Sequence, residues 1–212
     1  MVSGQVDSAP RLFLEALVTI LVIMDPVANA PVFLALTADR AAAERRRAAL
    51  QATVVAASVI LVFALFGQGI LALLGISLPA LQVAGGLLLV LVALELLRPP
   101  PAGTAGAPAA RPGQNVALVP LGTPLLAGPG AIAATMVYMS AADTALQVVA
   151  VVAALLVALA VVYVALRWAA RLAGVLKQNG IELLSRVVGV LLAAIAVQLV
   201  ASGIQEWVRH GV

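Results

Sequence analysis

A carboxylate, an amide and two prolines interrupt an apolar run near the start of the chain. Residues 25–31 read Asp-Pro-Val-Ala-Asn-Ala-Pro, inside a mainly apolar stretch that extends from Leu12 to Leu36. Proline lacks a backbone N–H, clashes with the preceding helical turn and disfavours helical angles in the residue before it. The pattern therefore predicts a short irregular segment, residues 25–31, between two half-helices. In lipid, such a segment is stable only where it is buried in protein or lines a polar cavity.

A similar arrangement recurs 98 residues further along the chain. In each copy a capping residue and a proline are followed, at the same spacing, by a second proline and then a threonine. The corresponding pairs are Asp25 and Thr123, Pro26 and Pro124, Pro31 and Pro129, and Thr37 and Thr135. Residues 82–88 also resemble residues 186–192, at an offset of 104. The shared spacing indicates an internal repeat with a broken helix in each half.

The two breaks predict a site for a small zwitterion. A helix that restarts after a break presents unsatisfied N–H groups and a partial positive charge, which attract a carboxylate. Unwound carbonyl groups beside it can coordinate a cation or accept hydrogen bonds from an ammonium group. The small residues Ala28, Ala30, Ala127 and Gly128 leave room for a small ligand, but not for a bulky one.

Asp25 has two interpretations. An aspartate at the centre of a span costs about 2.5–3.5 kcal/mol on insertion scales, so its side chain should face protein or water. It is then either the counter-charge for a substrate ammonium or a proton or sodium site. Alternatively, it is the N-cap of a helix that begins at Pro26. For Asn29, substrate binding and tying down the break are both open.

The other polar candidates have a structural alternative as well. Thr37 and Thr135 more often bond to their own helix than to a ligand, and Thr123 is first of all a cap. The candidate substrate-binding residues are Asp25, Pro26, Ala28, Asn29, Ala30, Pro31, Thr37, Thr123, Pro124, Ala127, Gly128, Pro129, Gly130 and Thr135.

Enzyme chemistry is not predicted. The chain has no cysteine, its one histidine is His210 near the end, and neither a GxSxG nor an HExxH motif occurs. No Walker motif is present either, so ATP hydrolysis is not expected. We therefore predict no catalytic residue, no bound metal and no cofactor beyond a coupling ion, sodium or a proton, with Asp25 as its candidate site.

The composition indicates an all-α integral membrane protein. Hydrophobic residues make up 64% of the chain and charged residues 10%, whereas soluble domains carry about 25% charged residues. The mean hydropathy is +1.15, so lipid must cover much of the surface. The net charge of +3 comes from scattered residues without a basic stripe and its interleaved aromatics, which argues against nucleic acid as a partner.

Six spans are predicted, since about 20 apolar residues cross a bilayer as a helix. They lie at residues 12–36, 48–74, 76–97, 116–139, 144–166 and 187–205, with the first and fourth broken near the midplane. A linker rich in proline, alanine and glycine, residues 99–115, joins the three-span halves 1–98 and 116–212. Because three is odd, the halves run in opposite directions, as in transporters with inverted repeats.

The basic residues predict the orientation. Ten of the 12 lysines and arginines lie in the odd-numbered connections, and only Arg11 and Arg209 lie on the other side. By the positive-inside rule, the odd-numbered loops are cytoplasmic and both termini are outside. Gly85, Gly86 and Gly189 are interpreted as sites of close helix packing. The expected partners are a small solute and membrane lipid, and a homo-oligomer is left open.

In its two proline motifs the chain resembles the MarC family of bacterial inner-membrane proteins, also called UPF0056. The motifs that carry the resemblance are residues 24–37 and 119–130, with further likeness at residues 84–87 and 186–189. Two departures are Ala28, where the family usually has glycine, and Thr123, where relatives often carry a larger aliphatic residue. The resemblance implies a six-span plasma-membrane protein in a superfamily of lysine-exporter-like transporters, whose characterised relatives are described as moving small neutral amino acids such as glycine and alanine.

The function that follows is secondary transport of a small neutral amino acid, bound between the two broken helices and driven by an ion gradient. The alternatives are a channel-like facilitator of a small solute and a non-transporting membrane protein of the same family.

Overall fold

The computed structural model describes residues 9–38, 40–98 and 126–210. All regular secondary structure in these ranges is helical, as predicted. The helices are α1 (Ala9–Met24), α2 (Pro26–Leu36), α3 (Ala42–Leu74), α4 (Leu78–Leu97), α5 (Pro129–Ser140), α6 (Ala145–Arg167) and α7 (Ala169–His210). The predicted linker at residues 99–115 and the candidates Thr123 and Pro124 lie outside the described residues.

Five helical stretches of the described chain are long and apolar enough to cross a membrane. They are Ala9–Leu36, which contains α1 and α2, Ala42–Leu74, Leu78–Leu97, Ala145–Arg167 and Gly180–Arg209. They correspond to the first, second, third, fifth and sixth predicted spans. The fourth predicted span, residues 116–139, is described only in part, because residues 116–125 lie outside the described ranges. The 12-residue helix α5 begins in its described part.

Local capping chemistry sets several of the helix ends. Gly75 ends α3 with a left-handed backbone (φ 66°), which glycine adopts without steric cost. Ser77 caps α4, because its hydroxyl accepts a hydrogen bond from the N–H of Ala80 at 3.3 Å. At the start of α6, the Thr144 hydroxyl accepts from the N–H of Gln147, and the Gln147 side chain accepts from the N–H of Thr144 at 3.0 Å. This reciprocal pair is a capping box.

Two predicted loops are in fact helical. Helix α3 begins at Ala42 rather than Ala48, so that it includes Arg45 and its two following arginines. Helix α7 begins directly after Trp168, so residues 169–186, predicted as a loop, belong to it. These segments are rich in alanine, leucine, arginine and glutamate, which have high helix propensity. The prediction was wrong because charged residues mark where a membrane span ends, but the helix itself can continue beyond that point.

The helices pack closely where a side chain is missing. Helix α4 lies along α7, and α1 lies along α6. A Cβ atom on Gly86 of α4 would lie 2.7 Å from the Val200 side chain and 2.8 Å from the Ala196 carbonyl oxygen of α7. A Cβ atom on Gly189 would lie 3.2 Å from the Cβ atom of Leu96. The interpretation of these glycines as packing positions is confirmed.

Arg45 holds the turn between α2 and α3. Its guanidinium donates to the carbonyl oxygens of Thr37 at 3.1 Å, Arg40 at 3.0 Å and Ala38 at 3.0 Å. Because carbonyls at a helix end lack partners within the helix, we expect Arg45→Gln to lower the free energy of unfolding by about 1–3 kcal/mol. Thermal unfolding in detergent measures this. Arg47→Gln, which removes an exposed arginine from the same helix turn, should leave the melting temperature unchanged; equal losses in both variants would contradict the role of Arg45.

Candidate functional site

Asp25 alone forms the break between α1 and α2. Its backbone has left-handed angles, φ 36° and ψ 73°, which cost an ordinary residue roughly 1–2 kcal/mol. One carboxylate oxygen, Oδ1, accepts a hydrogen bond from the N–H of Ala28 at 3.0 Å. The other, Oδ2, is buried and has no hydrogen-bond partner in the described part of the chain. The side chain is therefore a helix cap through one oxygen, and its second oxygen is a buried acceptor without a partner in the described chain.

The predicted irregular segment at residues 25–31 is wrong in its extent. Helix α2 restarts directly at Pro26, and Pro31 lies inside α2. Proline is well suited to the first position of a helix, where its missing N–H needs no partner. The N–H of Asn29 donates to the carbonyl of Asp25 at 3.1 Å, so the new helix closes its first turn at once. One residue in a left-handed conformation is enough to make the break.

Asn29 ties the two half-helices together. Its side-chain amide donates to the carbonyl oxygen of Met24 at 2.7 Å. That carbonyl belongs to the last turn of α1, where acceptors lack helical partners. Of the two interpretations of Asn29, the stabilising contact across the break is the one that the geometry contains.

Thr37 and Thr135 are buried and have equivalent hydrogen bonds. The Thr37 hydroxyl donates to the carbonyl of Phe33, and the Thr135 hydroxyl donates to that of Ala131, both at 2.7 Å. Each bond returns to the residue four positions earlier in the same helix, the common arrangement for threonine in a membrane helix. Both donors are thus occupied, and only the oxygen lone pairs remain for a ligand.

The second half of the predicted site begins its helix differently. Gly128 is the N-cap of α5 and Pro129 its first residue, and the Gly128 carbonyl accepts from the N–H of Ala131 at 3.0 Å. Pro129 starts a helix, whereas its sequence counterpart Pro31 lies within one. Ala127 is buried, and Gly130 packs directly beneath the side chain of Leu89 of α4. No side chain of the described residues caps this helix start.

The start of α5 and the end of α1 share one small cavity. It has a volume of about 80 Å³ and is lined by residues 128–131, by Leu89 and by Ile23, which is two residues before Asp25. The lining consists of apolar side chains and backbone. The fold thus brings the end of α1 and the start of α5 together, although 98 residues separate the matching motifs.

A larger cavity lies between α1, α4, α5 and α7. Its volume is about 360 Å³, within the range of small-molecule sites. No charged side chain of the described residues lines it; half of the lining residues are apolar, and the polar ones are Thr19, Gln82, Tyr138, Gln198 and Ser202. The hydroxyls of Thr19 and Tyr138 lie 2.9 Å apart, and the Gln198 amide donates to Ser202 at 3.2 Å. A guest with an unpaired net charge would therefore be costly to bury here.

Gln82 was missed as a site residue. Its side chain is 3% exposed, and its carbonyl oxygen Oε1 has no hydrogen-bond partner among the described residues. A buried carbonyl without a partner costs roughly 1–3 kcal/mol, so it needs an explanation. The signal in the sequence was an amide within an apolar span, a residue type that is costly there and often functional.

The described residues contain no group of three or more histidine, cysteine or carboxylate side chains that could hold a metal ion. The chemistry available in the described chain is that of binding. The breaks offer two helix starts and the buried Asp25 oxygen, and the larger cavity offers the Gln82 amide and a set of hydroxyl and amide groups; the Asp25 and Gln82 oxygens have no partner among the described residues.

Comparison with known proteins gives one consistent family. A family profile described as "MarC family integral membrane protein" matches residues 11–208. A UPF0056 membrane protein of Methanocaldococcus jannaschii is 38% identical over 200 residues, covering 91% of this chain and 96% of that protein. A UPF0056 membrane protein of Aquifex aeolicus is 35% identical over 203 residues, covering 94% and 95%. The UPF0056 inner membrane protein YhgN of Escherichia coli is 31% identical over 197 residues, covering 92% and 98%. No solved structure matches the chain.

Proposed function

Because the chain belongs to the MarC family of integral membrane proteins, we propose that it is a secondary transporter of small neutral amino acids such as glycine and alanine. The observation that carries the proposal is the cavity of about 360 Å³, which Gln82 helps to line and which no charged side chain of the described residues lines. The carbonyl oxygen of Gln82 is buried without a partner in the described chain. A solute with hydrogen-bond donors and no net charge satisfies this oxygen once the amide turns toward the cavity, without leaving a charge buried.

The zwitterionic form of an amino acid fits the rest of the site. Its ammonium group requires acceptors, and the hydroxyl oxygens of Thr19, Tyr138 and Ser202 and the amide of Gln82 line the cavity. Because Thr19 belongs to α1 and Tyr138 to α5, the substrate is held between the two broken helices.

Asp25, Pro26 and Pro129 are not among the described residues that line this cavity. We propose that they form a second position on the path, where the helix starts favour the carboxylate and sodium or a proton at Asp25 couples movement to a gradient. No other cofactor and no catalytic chemistry is part of this proposal.

We further propose that residues 1–98 and 116–212 form inverted three-span repeats. The helix packing supports this, since several contacts between helices have a counterpart. Helix α2 packs on α6 as α5 packs on α3, and α4 packs on α5 as α7 packs on α2. Helices α3 and α6 pack together, as do α4 and α7, which is expected of elements related by a two-fold axis. Rocking of the two halves about such an axis would expose the site to each side in turn.

The proposed setting is the bacterial plasma membrane, with both termini outside and the arginine-rich ends of α3 and α7 in the cytoplasm. The partners are the amino acid and membrane lipid, without nucleic acid. The native mass of the purified protein in detergent measures whether it forms a homo-oligomer.

Transport by the purified protein tests the proposal. Proteoliposomes are loaded to carry a sodium or a proton gradient, and uptake of labelled glycine and alanine is followed. A carrier gives saturable uptake and accumulation above the external concentration. Linear flux that only runs downhill would identify a channel-like facilitator instead. No flux of either solute under any gradient would contradict transport of these amino acids and favour a non-transporting membrane protein.

Gln82→Met separates binding from stability. The variant removes the unpartnered carbonyl oxygen but keeps an unbranched side chain of similar length. We expect about tenfold weaker apparent affinity for glycine, the effect of losing one hydrogen bond, with an equal or higher melting temperature. Gln68→Met, on the exposed face of α3, is the matched control and should change neither quantity. Unaltered affinity in Gln82→Met would exclude this oxygen from the site.

A further inference from the structure

A second cavity of about 360 Å³ lies where α3 and α7 begin, at the opposite end of the bundle from Gln82 and Ser202. Four arginines line it, and no acidic side chain of the described residues does. They come from α3, the end of α6 and the start of α7, and are Arg45, Arg46, Arg167 and Arg171. We call this space the arginine cavity. Its wall also contains the apolar side chains of Phe33, Leu166 and Trp168.

Only part of this positive charge is neutralised within the described chain. Arg45 is occupied by the carbonyl groups of the turn after α2. The Arg171 guanidinium lies 5.1 Å from the centre of the Trp168 ring, a cation–π contact that leaves its charge in place. Like charges that converge in a cavity repel one another. The arrangement is therefore incomplete without an anion.

Two helix starts add to the same field. Ala42 is the first residue of α3 and Ala170 the second of α7, and both line the cavity. The residue before α3 is Ala41, which has no side-chain acceptor, so its cap leaves first-turn N–H groups for other partners. Glu44 in that turn is exposed and accepts from the N–H of Ala41; it is not among the lining residues. The dipoles of α3 and α7 favour an anion at the place where the arginines converge, and those of α2 and α6, whose last turns also line the cavity, oppose it. The preference for an anion therefore rests on the arginines.

We propose that the arginine cavity binds a phosphate group, carried either by the headgroup of an anionic membrane lipid or by a soluble phosphate. Arginine matches phosphate because its planar guanidinium donates two parallel hydrogen bonds. Basic pockets between membrane helices are suited to anionic headgroups. Trp168 at the cavity is 54% exposed, as expected of an aromatic side chain at the level of the headgroups. This site does not depend on the proposed transport function.

Binding to the purified protein tests the site. The protein is prepared in a neutral detergent, and its melting temperature and native mass are measured with phosphatidylglycerol, with phosphatidylcholine and with inorganic phosphate. We expect phosphatidylglycerol or inorganic phosphate to bind and to raise the melting temperature, and the zwitterionic phosphatidylcholine to do neither. A response to the lipid alone identifies the headgroup as the source of the phosphate, and a response to the free ion identifies a soluble ligand.

The variant for this test is Arg46→Gln with Arg171→Gln, because these two side chains are exposed in the cavity and Arg45 is needed for the turn. We expect its affinity for the responding ligand to fall roughly tenfold or more. Lysine at both positions should restore part of it. The control Arg98→Gln with Arg209→Gln removes two exposed arginines outside the cavity and should bind as wild type. No response to either phosphate source, or an equal loss in both double variants, would overturn the proposal.

Discussion

Asp25→Asn is expected to lower concentrative uptake strongly while the protein remains folded. Asparagine retains an oxygen that can accept the N–H of Ala28, and it tolerates left-handed backbone angles. What it loses is the negative charge on Oδ2, the oxygen that has no partner in the described structure. A hydrogen bond to a charged group contributes about 1.5–3 kcal/mol, so uptake should fall by between about tenfold and a hundredfold. Proteoliposome uptake of labelled glycine measures the loss, and the melting temperature checks the fold.

Two further substitutions at Asp25 separate the cap from the charge. Asp25→Gly removes the capping oxygen and the charge, but glycine adopts a positive φ without strain. Asp25→Ala also removes the capping oxygen and the charge, and it keeps the strain of the left-handed backbone. We expect alanine to lower the free energy of unfolding by about 1–3 kcal/mol and glycine to lower it less. If Asp25→Asn transports as well as wild type, the carboxylate is only a helix cap. If Asp25→Asn and Asp25→Ala melt at the same reduced temperature, the asparagine does not preserve the cap, and the loss of uptake is structural.

Gly86→Ala should destabilise the protein by about 1–3 kcal/mol, the usual cost of overpacking. A methyl group there would lie 2.8 Å from the Ala196 carbonyl oxygen, which is backbone and cannot rotate away. Helices α4 and α7 would therefore have to separate. Their separation also moves Gln82 on α4 and Gln198 on α7, which both line the larger cavity. Thermal unfolding in detergent should show the loss, and transport should decline with it.

Gly69→Ala provides the matched comparison. Gly69 also lies within a long helix, but a Cβ atom added there meets no atom of the described residues within 4 Å. Alanine is favoured over glycine in a helix interior by roughly 0.5–1 kcal/mol, so this variant should be as stable as wild type or slightly more so. Equal destabilisation by both substitutions would mean that the effect at Gly86 arises from the backbone and not from the contact with α7.

The membrane class, most span limits and the break at Asp25 could be predicted from the sequence because their causes are local. Twenty apolar residues suffice for a span wherever they occur, Gly75 and Ser77 end and begin helices through their own backbone and side chain, and an Asp-Pro pair is a helix start. The extent of the break was not predictable in the same way. Pro31 was expected to lie outside a helix, yet α2 continues through it, because the packing of α2 on α6 and α7 compensates for a lost hydrogen bond.

Only the tertiary structure decided which polar groups share a cavity. Thr19 and Tyr138 are 119 positions apart in the chain and 2.9 Å apart in space, and Arg46 and Arg171 line one wall although they belong to different helices. The rotation of each helix about its axis decides which residues face inward, and that rotation depends on contacts such as Gly86 against α7. A uniformly apolar span has no periodic pattern from which to read its inner face, since lipid and protein are both apolar. For that reason the sequence alone identified Asp25, and the fold was needed to identify Gln82.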